Sequence, residues 1–253
     1  QTPSSDGMIY DFTKITDNNF LFASVSTDYV RYMTYTSSLR LIKMNETGVH
    51  EWEKVFTYDV NDIYPWHLIE TKDNGFLVSG ELDEWSNDRL YSFVLKTNKD
   101  GEIQWEDIYD DGIYSFIDTI FETSEGDYII AGGYSTDGDD SNKWIKKLDT
   151  EGKEVWMTQD GELDIMNIHD IEQANDQGII IVARTISNFE NPYSAVIKLD
   201  YGGNLEWIKK HDLKLYPSIK PLIDGNYVIT SEGVSLIKIN STGDIIWKKN
   251  IFY

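Results

Sequence analysis

The sequence contains no cysteine, only 5 prolines among 253 residues, and few positive charges. Without cysteine, disulfide bonds, thiolate metal sites and cysteine nucleophiles are all excluded, although the redox compartment stays open. Lys and Arg number 22 against 44 Asp and Glu, which gives a formal net charge of −22. Such a surface repels phosphates and anionic lipids, so we expect no nucleic-acid partner. No apolar run approaches the ~20 residues of a membrane-spanning helix, so no membrane insertion is expected.

The chain does contain a pattern that recurs five times. A Lys is followed by Asn or Asp two residues later, by Gly after five and by Trp after nine. The copies begin 53, 51, 51 and 40 residues apart, which is typical of repeat architectures. The five lysines and their tryptophans are Lys43 and Trp52, Lys96 and Trp105, Lys147 and Trp156, Lys198 and Trp207, and Lys238 and Trp247.

Each copy predicts a tight β-hairpin. Asn or Asp opens a type I turn, and the Gly three residues later supplies the positive φ that such a turn needs. In the simplest register Trp52 lies opposite Ile42, and the other tryptophans lie opposite Leu95, Lys146, Ile197 and Ile237. We expect the tryptophans to dock between neighbouring repeats and the lysine stems to cover apolar surface.

A turn followed by an apolar run precedes every hairpin, as in KDNGFLVSG at 72–80, and another short strand precedes that turn. Every repeat therefore holds four short strands, and no sustained helical periodicity occurs. This predicts an all-β, five-bladed β-propeller of four-stranded antiparallel blades. We expect a polar tail at 1–7 and a single, monomeric domain at 8–253, with blades at about 8–57, 62–110, 113–160, 164–212 and 214–253.

The hairpin pattern Asp/Asn-x-x-Gly-x-x-x-Trp resembles the tryptophan-docking motif of pyrroloquinoline-quinone-type propeller repeats, with a turn one residue shorter. The string KLDTEGKEVW at 147–156, after DYIIAGGYSTD at 127–137, is similar to repeats of uncharacterised secreted bacterial propellers. The resemblance implies a propeller fold and an extracellular or cell-surface location. It implies no particular activity, since propellers host many. Quinone dehydrogenases with such blades carry a vicinal cysteine pair that this chain lacks.

Function is expected where the repeats differ, in the loops between the second and third strands. Aromatic rings in these loops can stack on sugar C–H faces while neighbouring polar groups bind hydroxyls. This predicts a non-catalytic binding protein for carbohydrate or for a protein partner; alternatively, the rings pack against one another. The predicted ligand-binding residues are Tyr29, Tyr32, Tyr35, Trp85, Tyr91, Phe189 and Tyr193.

Two further groups of polar residues could hold ligands. Asp137, Asp139 and Ser141 alternate as in calcium loops but lack the Gly and distal Glu of an EF-hand, so a solvated turn is favoured over a calcium site. No other cofactor is expected. Equivalent positions on the innermost strands form a polar ring if they face the channel, with too few strong ligands for zinc. We assign these channel positions to Asp11, His67, Thr119, His169 and Ser218.

Catalysis is the main alternative to binding. A glycosidase needs two carboxylates about 5–9.5 Å apart, and Asp11, Asp118 and Asp170 on the inner strands are the candidates. The near-uniform repeats show little sign of a specialised cleft, and no Ser-His-Asp order, phosphate loop or HExxH motif is present. The balance is therefore against an enzyme. A plain interaction or spacer domain of a surface protein is the third interpretation.

Overall fold

The computed structural model describes residues 7–30, 34–137, 141–159, 165–185, 193–213, 217–231 and 235–250. All regular structure within these ranges is β-strand. The first ten strands are β1 (Met8–Lys14), β2 (Phe20–Val30), β3 (Thr34–Met44), β4 (His50–Thr57), β5 (Asp62–Glu70), β6 (Phe76–Glu84), β7 (Arg89–Thr97), β8 (Ile103–Tyr109), β9 (Tyr114–Glu122) and β10 (Tyr128–Ser135). The others are β11 (Ser141–Leu148), β12 (Glu154–Gln159), β13 (Ile165–Gln173), β14 (Ile179–Thr185), β15 (Tyr193–Leu199), β16 (Leu205–His211), β17 (Ser218–Pro221), β18 (Tyr227–Ser231), β19 (Ser235–Ile239) and β20 (Ile245–Asn250).

The strands pair with their sequence neighbours in four-stranded antiparallel arrangements. β1 to β4, β13 to β16 and β17 to β20 each form a separate sheet in serial order. β5 to β8 and β9 to β12 follow the same order and are joined by a short parallel pairing of Leu90 in β7 with Tyr114 in β9. The short turns explain this simple topology, since antiparallel strands need only a few residues to connect them.

The chain divides into two compact units. The first comprises Gln1–Glu122, Gly132–Ser141 and Thr150–Lys153, and the second comprises Thr123–Ala131, Asn142–Asp149 and Glu154–Tyr253. Each unit has its own apolar core. Leu21, Leu41 and Phe93 are fully buried in the first, and Val182 and Ile229 are fully buried in the second. None of the described residues forms a helix that is long and apolar enough to span a membrane.

The hairpin register differs by one residue from the expected one. Trp52 pairs with Lys43 rather than with Ile42, because the pairing shifts between Lys43 and Met44. The extra residue is Glu51, which follows a turn closed by Gly48 at a φ of 79° and bulges out of the strand. The same shift recurs in the other four hairpins, where Trp105, Trp156, Trp207 and Trp247 pair with Lys96, Lys147, Lys198 and Lys238.

The shifted register brings each repeat lysine to an aspartate in the turn between the first and second strands. In the second repeat Lys96 is 1% exposed, and its Nζ lies 2.9 Å from Asp73 and 2.7 Å from Gln104. Every repeat lysine therefore has a fixed counter-ion, and Lys96, Lys147 and Lys198 are buried as well, which is more than the predicted covering of apolar surface. The equivalent pairs are Lys43–Asp17 (2.7 Å), Lys147–Asp127 (2.9 Å), Lys198–Asp176 (3.0 Å) and Lys238–Asp224 (2.7 Å).

The repeat tryptophans pack against the hairpin turn of the following repeat within each unit. Trp105 Nε1 donates to the carbonyl of Thr150 at 3.1 Å, and Trp156 does the same to Tyr201 at 3.0 Å. A methyl group on the glycine of the following turn would lie only 2.6 Å from the ring of Trp105. This glycine is Gly152. The Trp105 ring packs directly on it, and the contact fixes the spacing of successive repeats.

Candidate functional site

Three aromatic side chains form a cluster at the starts of β1 and β5, which we call the aromatic platform: Tyr10, Tyr64 and Trp66. Tyr64 and Trp66 are stacked with ring centroids 5.7 Å apart and planes 8° apart. Tyr10 meets the two rings edge-on, at 6.1 Å and 5.6 Å. Trp66 is 46% exposed, so the platform presents an aromatic surface to solvent.

A bulge in β5 produces this arrangement. The pairing with β6 skips from Tyr64 to His67, which leaves Pro65 and Trp66 out of register. Proline cannot donate to a strand ladder, so an irregularity is expected where it occurs within a strand. Gly80 of β6 accommodates the bulge, since a methyl group there would lie 2.0 Å from the Tyr64 carbonyl oxygen. The bulged backbone turns Trp66 outward.

Three half-buried carboxylates lie beside the platform: Asp62 of β5 and Glu81 and Asp83 of β6. The indole N–H of Trp66 donates to Glu81 Oε2 at 3.0 Å, which fixes the ring. Asp62 stands directly opposite Asp83 across the two strands. Trp85, 54% exposed, lies close to the Asp83 carboxylate.

The environment of these carboxylates raises their pKa values. Burial is the largest cause at Glu81, and the negative charges of Asp118 and Asp83 raise its pKa further, against the opposing hydrogen bond from Trp66. Burial and the facing Asp83 raise the pKa of Asp62. Burial likewise raises the pKa of Asp83. Like charges therefore face one another here, which favours uptake of a proton or of a cation.

His67 of β5 and Asp118 of β9 lie near the carboxylates beside the platform. The Nδ1 atom of His67 lies 3.3 Å from Ser79 Oγ, and the ring lies close to the backbone of Asp118. Burial lowers the pKa of His67, although the nearby carboxylates of Asp11 and Asp118 oppose this effect. The imidazole is therefore neutral at pH 7. Of the predicted inner-strand residues, Asp11, His67 and Asp118 thus share one neighbourhood.

Asp11 and Asp170 occupy equivalent places and hold adjacent repeats together. Asp11 accepts from the backbone N–H of Leu68 at 2.8 Å, and Asp170 accepts from that of Ile219 at 2.8 Å. Asp170 also accepts from the predicted channel residue Ser218, at 2.6 Å. Both carboxylates therefore accept hydrogen bonds from the following repeat, which indicates that they position the adjacent inner strands.

The pairings correct one assignment within the predicted channel set. His67 pairs with Ser79, and the residue at the same register in β13 is Asp170, which pairs with Val182. His169 lies one residue earlier, at a bulge between Ile168 and Asp170. The sequence does contain the extra residue, since His67 lies nine residues before Phe76 whereas His169 lies ten before the equivalent Ile179, so the predicted position was off by one residue here. Thr119 is half-buried next to Asp118 on β9.

Of the predicted loop aromatics, the structure describes the side chains of two. Trp85 is exposed beside Asp83, whereas the hydroxyl of Tyr91 donates to Glu84 at 2.8 Å and its ring lies 5.3 Å from the Arg89 guanidinium. The side chains of the other five lie outside the described residues: Tyr29, Tyr32, Tyr35, Phe189 and Tyr193.

The predicted calcium loop is described only in part. Asp137 is exposed, while Asp139 and the side chain of Ser141 lie outside the described residues. Within the part of the chain that is described, no three His, Asp or Glu side chains converge as a metal-binding set. Calcium at this loop stays a prediction.

Sequence reasoning missed the platform itself and Glu81. Tyr10, Tyr64 and Trp66 lie on inner strands rather than in the loops where function was sought. Pro65 inside a strand and Gly80 opposite it were the available signal, because together they mark a bulge. A cavity of about 370 Å³ lies beside the turn between β6 and β7. It is lined by Asn87, Asp88, Arg89, Gly112, Ile113 and Thr136.

Comparison with known proteins identifies the fold. No family model and no curated protein matches the sequence. A protein of unknown function from Dyadobacter fermentans matches with a TM-score of 0.56 and 10% identity, over 94% of this chain and 79% of that one. An α-L-arabinanase of Penicillium chrysogenum, complexed with arabinobiose, matches with a TM-score of 0.53 and 9% identity, over 96% and 82%. The GH93 α-L-arabinofuranosidase of Fusarium graminearum, also with arabinobiose, matches with a TM-score of 0.54 and 11% identity, over 95% and 79%.

The two glycosidases are propeller-type proteins, and the chain shares their repeated all-β fold. The fold is thus of the β-propeller type, with four-stranded antiparallel sheets. At 9–11% identity, the likeness extends to the fold alone.

Proposed function

We propose that this chain is a non-catalytic carbohydrate-binding protein, a five-bladed propeller that binds a saccharide on the aromatic platform. The observation that carries the proposal is the exposed ring of Trp66, stacked on Tyr64 and hydrogen-bonded to Glu81. Sugar rings present C–H faces that pack on an indole, while their hydroxyls donate to carboxylates such as those beside it. The platform offers both groups side by side.

The platform is also organised in advance of binding. Stacking on Tyr64 and the bond to Glu81 hold the indole of Trp66 in one orientation. A ligand therefore need not order this side chain, which would otherwise cost about 0.5–1.5 kcal/mol per immobilised side chain. Rigid aromatic surfaces of this kind are typical of binding sites rather than of incidental exposure.

The wider proposal includes the aromatic residues of the loops between the second and third strands. Trp85, two residues after Asp83, extends the platform, and the five loop aromatics outside the described residues are further candidate contacts. A monomer at the cell surface or outside the cell fits an acidic, cysteine-free chain. A protein ligand is the alternative to a saccharide. Two fold relatives bound to arabinobiose support a saccharide.

A glycosidase is the second candidate, because one observation favours it. Burial and the charge of Asp118 raise the pKa of Glu81, as expected of a general acid beside a second carboxylate. An enzyme would release reducing ends from the saccharide that it binds, and Glu81→Gln would stop the release while binding persisted. A bound saccharide that stays intact over prolonged incubation favours the binding protein.

The test is a glycan array followed by calorimetric titration of the best saccharide. Trp66→Ala should abolish binding, whereas Tyr201→Ala should leave it unchanged. Tyr201 is a matched aromatic control, since it is 49% exposed, lies in a hairpin turn and is not one of the platform residues. Melting temperatures of both variants report on folding. Binding that survives Trp66→Ala, or an array with no saccharide bound, would overturn the proposal.

A further inference from the structure

We propose that the saccharide is cationic: an amino sugar whose protonated amine lies against Asp62, Glu81 and Asp83. The inference rests on the proposed function, because it names the chemical class of ligand for the same platform. It goes beyond that function in requiring a positive charge, which neutral sugars such as arabinose or glucose lack.

The first argument is the like-charge pair of Asp62 and Asp83. These carboxylates stand directly opposite each other in an antiparallel pair, where side chains come closest and like charges destabilise a sheet. Among the described residues, no Lys or Arg nitrogen lies within 4.0 Å of Asp62, Glu81 or Asp83. Among the described residues, these three carboxylates therefore have no cationic side chain as a counter-ion.

The same two strands show that the fold can provide a counter-ion. At the opposite end of the sheet, Asp73 precedes β6 and has Lys96 at 2.9 Å. The conflict between Asp62 and Asp83 is local, and such conflicts in an otherwise consistent sequence tend to mark functional positions. A ligand that brings the missing positive charge would relieve it.

An ammonium group on a sugar suits the site in two ways. It donates three hydrogen bonds, and the neighbouring carboxylates, when ionised, accept hydrogen bonds and donate none. It is also attracted to the face of an indole, and Trp66 and Trp85 both lie beside these carboxylates. The sugar ring packs on Trp66 while the amine points to the carboxylates. An anionic sugar such as a uronic acid is repelled at the same place.

A bare metal ion fits less well than an amine. Calcium takes six to eight oxygen ligands at about 2.3–2.6 Å, which requires several carboxylates to converge on one point. Within the described ranges no three acidic or histidine side chains converge in this way. An amine needs no such convergence, because each of its protons can be directed to a different carboxylate.

The experiment compares three oligosaccharides of equal length by calorimetry: glucosamine oligomers with free amines, their N-acetylated forms, and cello-oligosaccharides. The free-amine oligomer should bind about tenfold more tightly than the other two, the size expected of one partly desolvated cationic contact. Asp62→Asn and Asp83→Asn should each reduce that advantage, and Trp66→Ala should abolish binding of all three. Trilysine measures non-specific attraction to the chain's charge of −22.

The outcomes separate the inference from the proposal on which it rests. Trp66-dependent binding of all three oligomers with equal affinity would overturn the amine and leave carbohydrate binding intact. Binding of none, or binding that Trp66→Ala leaves unchanged, would overturn both. Trilysine binding as tightly as the amino sugar would also overturn the amino sugar, since charge alone would then explain the effect. Both Asp→Asn variants remove a repulsion, so loss of folding is not expected.

Discussion

The two ends of the strands, at the hairpin turns and at the platform, differ in whether their carboxylates have a cationic partner. At the hairpin end, every repeat lysine has an aspartate partner, and the pair recurs five times at 2.7–3.0 Å. At the platform end of the second repeat, two aspartates face each other, and their pKa values are raised. Residues that recur in every repeat serve what the repeats share, namely packing on the next repeat. The facing aspartates of the second repeat do not contribute to that packing, so we expect the functional site at the platform.

Removing a repeat lysine should have the largest effect on this comparison. In Lys96→Ala the chain loses a buried cation that contacts Asp73, Gln104 and the Thr97 carbonyl oxygen. The free energy of unfolding should fall by about 3 kcal/mol, because Asp73, Gln104 and the Thr97 carbonyl lose the cation that donates to them and the buried lysine stem leaves a cavity. Urea denaturation measures this. Lys99→Ala is the control, since that side chain is 69% exposed and should change stability by less than about 0.5 kcal/mol. If Lys96→Ala and Lys99→Ala changed stability equally, the Lys96–Asp73 pair would have no structural role.

Two turn glycines allow the docking contact to be measured separately from backbone strain. Gly48 and Gly152 have φ values of 79° and 83°, so alanine is strained at both. Only at Gly152 would the methyl group meet the Trp105 ring, at 2.6 Å; no described atom lies within 4 Å at Gly48. Gly48→Ala should cost about 1 kcal/mol and Gly152→Ala about 2–3 kcal/mol. Thermal melts of the two variants give the difference. Identical losses would show that the tryptophan contact contributes nothing.

The hairpin end shows how far sequence could lead. A constant spacing from Lys to Trp and a fixed turn glycine were enough to predict antiparallel strands in groups of four and the packing of the tryptophans. The register was wrong by one residue because a bulge adds Glu51 without any distinct residue type to announce it. The aspartate partners of the lysines were also missed, because each lies in a different turn. For Lys96 the partner is 23 residues away in the sequence.

Opposite pH dependences should distinguish the two ends. Lys238 lowers the pKa of Asp224 to about 2, so this pair stabilises the fold at neutral pH and is lost only as the pH falls toward 2. The pKa of Asp83 is raised, so its ionisation destabilises the fold as the pH rises above about 4. Asp224→Asn should therefore lower the melting temperature at pH 7. Asp83→Asn should raise it, by up to about 0.5 kcal/mol in stability.

The two variants control for each other, because each replaces a carboxylate by an amide of the same shape. The measurement is the melting temperature of both variants and the parent chain between pH 3 and pH 7. The difference for Asp83→Asn should vanish at pH 3, where the parent carboxyl is protonated. A loss of stability at pH 7 for Asp83→Asn would mean that the facing aspartates are not in conflict.

The platform end could be predicted only in part. Asp11, His67 and Asp118 were singled out as inner-strand candidates, and they lie in the neighbourhood of Glu81. Tyr10 and Trp66 escaped notice because their exposure depends on bulges, and a strand pattern alone assigns such residues to the core. The facing of Asp62 and Asp83 follows from the register of β5 and β6, which the bulge at Pro65 shifts. Long-range pairing of this kind is not encoded in any local pattern.

Trp66→Ala combines a small expected effect on stability with the sharpest test of the difference between the ends. Trp66→Ala removes a large ring, but one that is 46% exposed and packs on Tyr10 and Tyr64 at the surface. Its loss should change the free energy of unfolding by less than about 1 kcal/mol, whereas Trp105→Ala should cost at least about 3 kcal/mol because that ring packs on the next repeat. Urea titration of both variants measures the contrast. If the two losses were equal, Trp66 would be a structural residue like the repeat tryptophans, and its exposed face would carry no functional meaning.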